Sequence, residues 1–353
     1  MTPAVRAWEP DGDDLAALEA EHRARAAAHD ALVAVPDLGA VPGDERLVAV
    51  RLPDGSRAAG LATSGDVPAG SAAATFRPLR EHRLRARAAG PDVGGAVRAL
   101  VDAWTTRVGG APGVAPDGDG RPERGPAPRD HGLVLLWPSR DVEAVGALAA
   151  SGLRPTVHLA ARRDAPPASP RVAPGVVLAE AGPGDVADVV EHQLAELEYD
   201  ELVGAARVRP RAREHLAAQV AGAVANPATT VLVARRSPAH GEDAGEVVGV
   251  VAVEPPERAG AVAGTVTAGP VSYLVLLHVT GGSRGGGVGG ALVDAALARV
   301  RDRLGPGAVV LLHHGVLNPL SAPFWARQGF RPVLTTWELP VGALSPGARS
   351  LSP

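Results

Sequence analysis

The sequence contains no cysteine. That absence excludes disulfides and thiolate metal sites, and nothing covalent ties the chain to an oxidising compartment. Lysine and isoleucine are missing as well, so every strongly basic side chain is arginine. This one-sided usage resembles a GC-rich coding bias and strips individual surface Arg and Ala residues of diagnostic value. Aromatic residues make up only 3%, asparagine occurs only at 226 and 318, and tyrosine only at 199 and 273, which makes those positions informative. No apolar run reaches the roughly 18–20 residues of a membrane helix. The opening MTPAVRAWEPDGDD is too acidic and polar for a signal peptide. A cytoplasmic protein with no membrane partner is the expectation. With 35 basic and 39 acidic residues the formal charge is −4, which supplies no electrostatic reason to bind nucleic acid.

What is present suits a globular protein of two domains: 353 residues exceed what one core usually supports, and 46% of them are hydrophobic. The two domains read as copies. WEPDGDDLAALEAEH from Trp8 resembles AEAGPGDVADVVEHQ from Ala179, VGGAVRALVDAW from Val93 resembles VGGALVDAALAR from Val288, and GLRPTVHLAAR from Gly152 resembles GFRPVLTTWEL from Gly329. Three blocks in the same order, with varying spacing between them, are the pattern of related domains that differ in their loops. The expected organisation is a domain over 1–165, interrupted by a Pro/Gly-rich loop at 109–132, then a linker at 166–175, a second domain at 176–340 and a frayed tail at 341–353.

Periodicity in the second half predicts a strand over 175–180, helices from Asp185 to about Tyr199 and over 211–224, and a hairpin of strands at 229–235 and 246–254. Next come a strand at 271–279 and a glycine-rich turn opening a helix, with apolar residues at 288, 292, 293, 296, 297, 300 and 304 on one face. A strand at 308–313, a short helix at 319–328 and a closing strand at 332–339 complete the order β-α-α-β-β-β-α-β-α-β.

A strand feeding a glycine-rich turn and a helix N-terminus is a device for holding phosphate, because glycine lets backbone N–H groups approach the anion and the helix end adds partial positive charge. Here the turn is Arg284-Gly285-Gly286-Gly287-Val288-Gly289. It resembles the pyrophosphate loop of the GNAT (Gcn5-related N-acetyltransferase) superfamily and lies where that family has it, between the fourth strand and the third helix. Asn318 through Gly329-Phe330 is similar to the family's closing motif, so the resemblance spans about 176–339. It implies an α/β (α+β) fold of two tandem GNAT-like domains, each a mixed central sheet flanked by helices. It also implies acetyl-CoA as co-substrate and transfer of its acetyl group to a primary amine of a small molecule or peptide.

By the same resemblance, backbone groups of Leu277, His278 and Val279 bind the acetyl carbonyl and pantetheine arm. The backbone of Arg284, Gly285, Gly286, Gly287, Val288 and Gly289 cradles the pyrophosphate, and Asn318 lies near the thioester end. The Arg284 side chain either touches phosphate or is one more surface arginine.

Acetyl transfer to an amine needs a proton acceptor, and the leaving thiolate is helped by an acid. The family often places a tyrosine four residues before the closing glycine, and this chain has Trp325 there, whose indole N–H is no practical acid. His278, Tyr273 and Glu254 are the candidates for proton transfer; Tyr273 and His278 are five apart on the fourth strand and so are expected to point to opposite faces. The adjacent His313 and His314 also point opposite ways, and no metal is expected. The acidic run Glu196, Glu198, Asp200 and Glu201 either lines an acceptor site for a cationic amine or is a solvated helix face.

In the first half the loop position reads Ala89-Gly90-Pro91-Asp92-Val93-Gly94, where Asp repels phosphate and Pro removes an N–H. The first domain is therefore expected to be a degenerate copy. A non-catalytic CoA-binding or scaffold protein of the same fold is the rival reading.

Overall fold

The computed structural model describes residues 6–110, 130–163, 171–237 and 245–341. The Pro/Gly-rich loop and the tail lie almost wholly outside the described residues, as does the first half of the proposed linker, 166–170. No described helix is long and apolar enough to cross a membrane.

The chain folds as two compact units. The first begins with β1 (Arg6–Ala7), followed by helix α1 (Gly12–His29), β2 (Leu47–Arg51), β3 (Arg57–Asp66) and β4 (Arg80–Ala89). Helix α2 (Val93–Gly109), β5 (His131–Pro138), α3 (Val142–Ala150) and the start of β6 (Arg154–Arg163) follow. Helix α1 opens with a reciprocal capping box: the Asp14 N–H donates to the Asp11 carboxylate at 2.8 Å, and the Asp11 N–H donates back to Asp14. Such a cap stabilises a helix end by about 1 kcal/mol.

The second unit contains β7 (Val176–Glu180), α4 (Val186–Leu202), α5 (Ala212–Ala225), β8 (Thr230–Arg236), β9 (Val247–Glu254) and a single helical turn, α6 (Gly260–Ala263). After it come β10 (Val271–Val279), α7 (Val288–Leu304), β11 (Val309–Gly315), α8 (Ser321–Arg327) and β12 (Arg331–Pro340). The sequence-derived order of this half holds apart from α6, which was not expected, and its boundaries fall within about three residues of those expected, α4 running on to Leu202.

The closing strands depart from expectation. Of the described residues, the first unit holds those up to His158 together with those from Val333 onward, and the second holds Leu159–Pro332. In the first unit β12 completes the sheet by pairing antiparallel with β5, from Leu334 opposite Pro138 to Pro340 opposite Gly132. In the second unit β6 lies beside β11. The cores agree with this exchange. Trp337 and Leu339 pack with Trp104, Leu133 and Leu148 in the first unit, whereas Ala160 packs with Leu292, Leu312 and Phe330 in the second. The boundaries at 165/176 and 340 therefore move to 158/159 and 332/333. Each closing strand alternates apolar and polar residues, and that pattern specifies a half-buried strand without specifying its neighbour.

In the second unit the strands run β6-β11-β10-β9-β8-β7, parallel between β10 and β11 and antiparallel from β10 through to β7. One face packs on α7 through Val251, Val253 and Leu274. The other packs on α4 and α5 through Val250, Ala252 and Leu276. Both sheet faces of β8–β10 are thus covered by helices, which is why these strands read as continuous apolar runs.

Candidate active site

The pairing of β10 with β9 slips by one residue between Leu274 and Leu276: Leu274 lies opposite Val253, and Leu276 opposite Ala252. Val275 is the extra residue of a β-bulge, and it resets the alternation of side chains. Tyr273 lies opposite Glu254 and His278 opposite Val250. Residues 250, 252 and 254 share one face of β9, and Val250 and Ala252 belong to the core on the α4 side. Tyr273, His278 and Glu254 therefore all project toward α4. The expectation that Tyr273 and His278 face opposite ways is corrected, because it assumed an unbroken period of two.

The sheet also opens at the bulge. The β10–β11 register runs only from Val271 opposite Val309 to Leu274 opposite Leu312. Beyond it the strands part, and a cavity of about 480 Å³ occupies the gap. Its walls include Leu277, His278, Val279, Arg284, Gly285, Gly287, Val288, Gly289 and Asn318. Gly286, Tyr273 and Glu254 are not part of its wall.

At one end of the cavity stands the N-terminus of α7. Gly285 and Gly287 have φ of +80° and +84°, a left-handed conformation that side-chain-bearing residues rarely adopt. No side chain caps the helix, whose first intrahelical bond runs from the Ala291 N–H to the Gly287 carbonyl. The preceding N–H groups are left for an anion. The Arg284 side chain bends back instead: its Nε donates to the Val279 carbonyl at 3.0 Å, and its guanidinium lies 6.0 Å from the centre of the Tyr199 ring.

The matching place on α2 is filled. Asp92 is the N-cap, and its carboxylate accepts from the Gly95 N–H at 2.7 Å. The first unit carries its own anion where the second leaves an opening.

The other end of the cavity holds the titratable groups. On α4 the acidic run divides: Glu196 and Asp200 line the cavity, whereas Glu198 and Glu201 are exposed to solvent. Burial raises the Glu196 carboxyl well above the usual carboxylate range; Asp200 adds to this, and a hydrogen bond from the Leu277 backbone opposes it. Burial also raises Asp200, offset by the Asn318 amide, which donates to it at 2.9 Å. The Asn318 side-chain oxygen accepts from the Leu320 and Ser321 N–H groups, each at 3.0 Å. Asn318 thus joins α4 to the start of α8.

His278 lies with Nδ1 2.9 Å from Nδ1 of His192 on α4, and burial, with His192 and Arg284 nearby, lowers it to about 4. The Tyr273 hydroxyl lies 2.7 Å from His313 Nδ1. Burial, then Glu196 and Glu254, push its pKa up, so the phenol keeps its proton. The His313 ring opens on the cavity, and desolvation, with His314 beside it, lowers it to about 4. Burial raises Glu254, which pairs with Arg258 at 3.4 Å. Trp325 is 6% exposed and packs edge-on against Phe324 and Phe330. Among the described residues no group of three or more His, Asp or Glu side chains is placed to hold a metal.

Sequence reasoning singled out neither Glu196 as an individual nor His192. Their signal was spacing: His192, Glu196 and Asp200 stand four apart, which places them in one stripe of α4.

Comparison with known proteins accords with this geometry. Residues 192–330 match the model of the acetyltransferase (GNAT) family. No curated protein matches the chain. Among solved structures, a GCN5-related N-acetyltransferase from Sphaerobacter thermophilus aligns over 96% of this chain and 96% of its own, with 16% identity and a TM-score of 0.51, a likeness of fold. A tandem GNAT protein from the clavulanic acid biosynthesis pathway aligns over 96% of this chain and 98% of its own, at 14% identity and a TM-score of 0.43.

Proposed function

Starting from residues 192–330 as a GNAT-family acetyltransferase domain, we propose that the second unit transfers the acetyl group of acetyl-CoA to a primary amine of a small molecule or peptide. One observation carries this reading: a single cavity joins an uncapped, glycine-opened helix N-terminus to a splayed pair of parallel strands. The first feature suits a pyrophosphate, and the second suits an extended arm ending in a carbonyl. Bound there, acetyl-CoA supplies an activated thioester.

The N–H groups at the start of α7, with the backbone of Arg284 to Gly289, hold the phosphates. The backbone of Leu277 to Val279 faces the arm and the acyl group. Two side chains of the wall have acidities pushed apart, which is how a site obtains both an acid and a base near neutral pH. His278, lowered to about 4, is neutral and accepts the amine proton as the new N–C bond forms. Glu196, raised by burial and by Asp200, keeps a proton to donate as the C–S bond breaks and the thiolate leaves. Glu196 thereby takes the task for which Trp325 is unsuited. Tyr273 and Glu254 stand behind the wall and shape its electrostatics. The first unit, with Asp92 in its anion site, acts as a scaffold without cofactor.

The test measures CoA release from acetyl-CoA across a panel of small amines and peptides, beside binding of acetyl-CoA alone. Binding without turnover on any amine would leave the rival reading, a non-catalytic CoA-binding protein. No binding would sink both.

A further inference from the structure

The hydrogen bonds around His278 determine which of its nitrogens carries the proton. Its Nδ1 lies 2.9 Å from Nδ1 of His192. Two imidazole nitrogens at that distance share one proton, so one ring donates and the other accepts. The second nitrogen of His192 settles the direction. His192 Nε2 lies 3.2 Å from the Val247 carbonyl oxygen, which has no proton to give, so Nε2 is the donor. A neutral imidazole carries a single N–H. Burial lowers both histidines, which are neutral near pH 7. His192 therefore has its hydrogen on Nε2 and a bare Nδ1, and the shared proton belongs to Nδ1 of His278.

The free lone pair of His278 is consequently on Nε2. That atom has no hydrogen-bond partner among the described residues, yet it is not among the sealed, unpartnered side-chain atoms. It meets the cavity that the His278 ring lines.

We propose that His192 is a positioning residue that locks His278 in its Nδ1–H tautomer and so presents the Nε2 lone pair to the acceptor amine. The purpose of the lock rests on the acetyl-transfer reading, whereas its geometry does not. Around the pair, Asp188 on α4 and Glu246 ahead of β9 favour a charged His192, and Arg284 disfavours a charged His278. The His278 backbone beside the His192 ring likewise favours a charged His192.

The lock bears on the proton as well as on the orientation of the ring. When His278 Nε2 takes the amine proton, its Nδ1–H still points at His192, whose only N–H ends on the Val247 carbonyl. The bare Nδ1 of His192 can take up that Nδ1 proton, and Asp188 and Glu246 favour the charged ring that results, but the proton goes no further, because the Val247 carbonyl cannot accept one.

Nitrogen-15 NMR of the histidine rings in the full chain reads the tautomers directly, with assignments from His192→Asn and His278→Gln. At pH 7.5 His278 is expected as the Nδ1–H form and His192 as the Nε2–H form. In His192→Ala, His278 should lose its tautomer preference, and kcat should fall on the order of tenfold with KM for acetyl-CoA unchanged, part of the roughly 10²–10⁴ that a placed base supplies. His192→Asn, whose side-chain oxygen accepts from Nδ1–H, should restore both. An Nε2–H form of His278 in the unaltered protein, or an Nδ1–H form that survives His192→Ala, overturns the proposal. A protein with the expected tautomers and no transfer activity would instead overturn the reaction it serves.

Discussion

The Asp92 carboxylate accepts a hydrogen bond from the Gly95 N–H at 2.7 Å, at the helix end where α7 has Gly287 and no side-chain cap. The two units differ here by one carboxylate, and that carboxylate separates a satisfied helix from one open to a ligand.

Cofactor binding should follow this difference. Gly287→Asp forces a side chain into a left-handed position and places a negative charge at the anion site. Titration calorimetry should show acetyl-CoA affinity falling at least a hundredfold. Asp92→Ala should leave that affinity unchanged while lowering stability by about 1 kcal/mol through loss of a helix cap. If Asp92→Ala weakened acetyl-CoA binding and Gly287→Asp did not, the assignment of the site to the second unit would be wrong.

Replacing Glu196 by Gln keeps the shape of the side chain and removes its proton-donating carboxyl. The expected result is a fall in kcat of about a hundredfold or more, with acetyl-CoA affinity preserved. The unaltered protein should also lose activity as pH rises through the ionisation of Glu196, which burial and Asp200 shift upward, a limb the variant lacks. An unchanged kcat in Glu196→Gln would remove Glu196 from the chemistry.

Acid stability should depend on His22. This ring is 2% exposed, lies edge-on to Trp137 with centroids 5.2 Å apart, and bonds to the Ala88 backbone at 3.3 Å. Burial, then Arg87, lower it to about 4 from 6.5. The unfolded chain therefore binds the proton first as pH falls. The stabilising contribution is complete above about pH 6.5 and is lost as pH drops toward 4, amounting to about 3 kcal/mol by proton linkage. Denaturant melts at pH 7.5, 6 and 5 should trace this decline, and His22→Gln should flatten it. An equal slope in the variant would assign the acid sensitivity elsewhere.

Strand exchange makes a prediction about distant parts of the chain. Trp337 is 3% exposed in the core of the first unit, and its indole N–H has no partner. Trp337→Ala should cost about 3–5 kcal/mol, with hydrogen-exchange protection lost first in β5 and not in β11. Trp337→Phe should cost less, since it also removes an unpaired buried N–H. Protection lost in β11 with β5 intact would contradict the exchange.

The helices and strands of the second half were legible because each carries its own signal: the apolar face of α7, the β-branched runs of β8 and β9, and the glycines before Val288. Features that depend on neighbours were not. The bulge at Val275 has no composition mark, so the alternation of Tyr273 and His278 was read as regular. β6 and β12 carry such similar patterns that sequence could not tell which sheet each would join. The acidic run on α4 held both readings, one for Glu196 and Asp200 and the other for Glu198 and Glu201, and helical spacing alone does not say which stripe meets a cavity.

The exchange of closing strands also sets an order of assembly on the ribosome. Residues 1–158 emerge first, but the strand that completes their sheet ends at Pro340, which is 182 residues later (340 − 158). At about 5–20 residues per second that is a wait of roughly 9–36 s. During it the β5 edge, with Leu133 and Leu135 on it, has no partner strand, a state that invites wrong pairing with other nascent chains. The half made first is the half finished last.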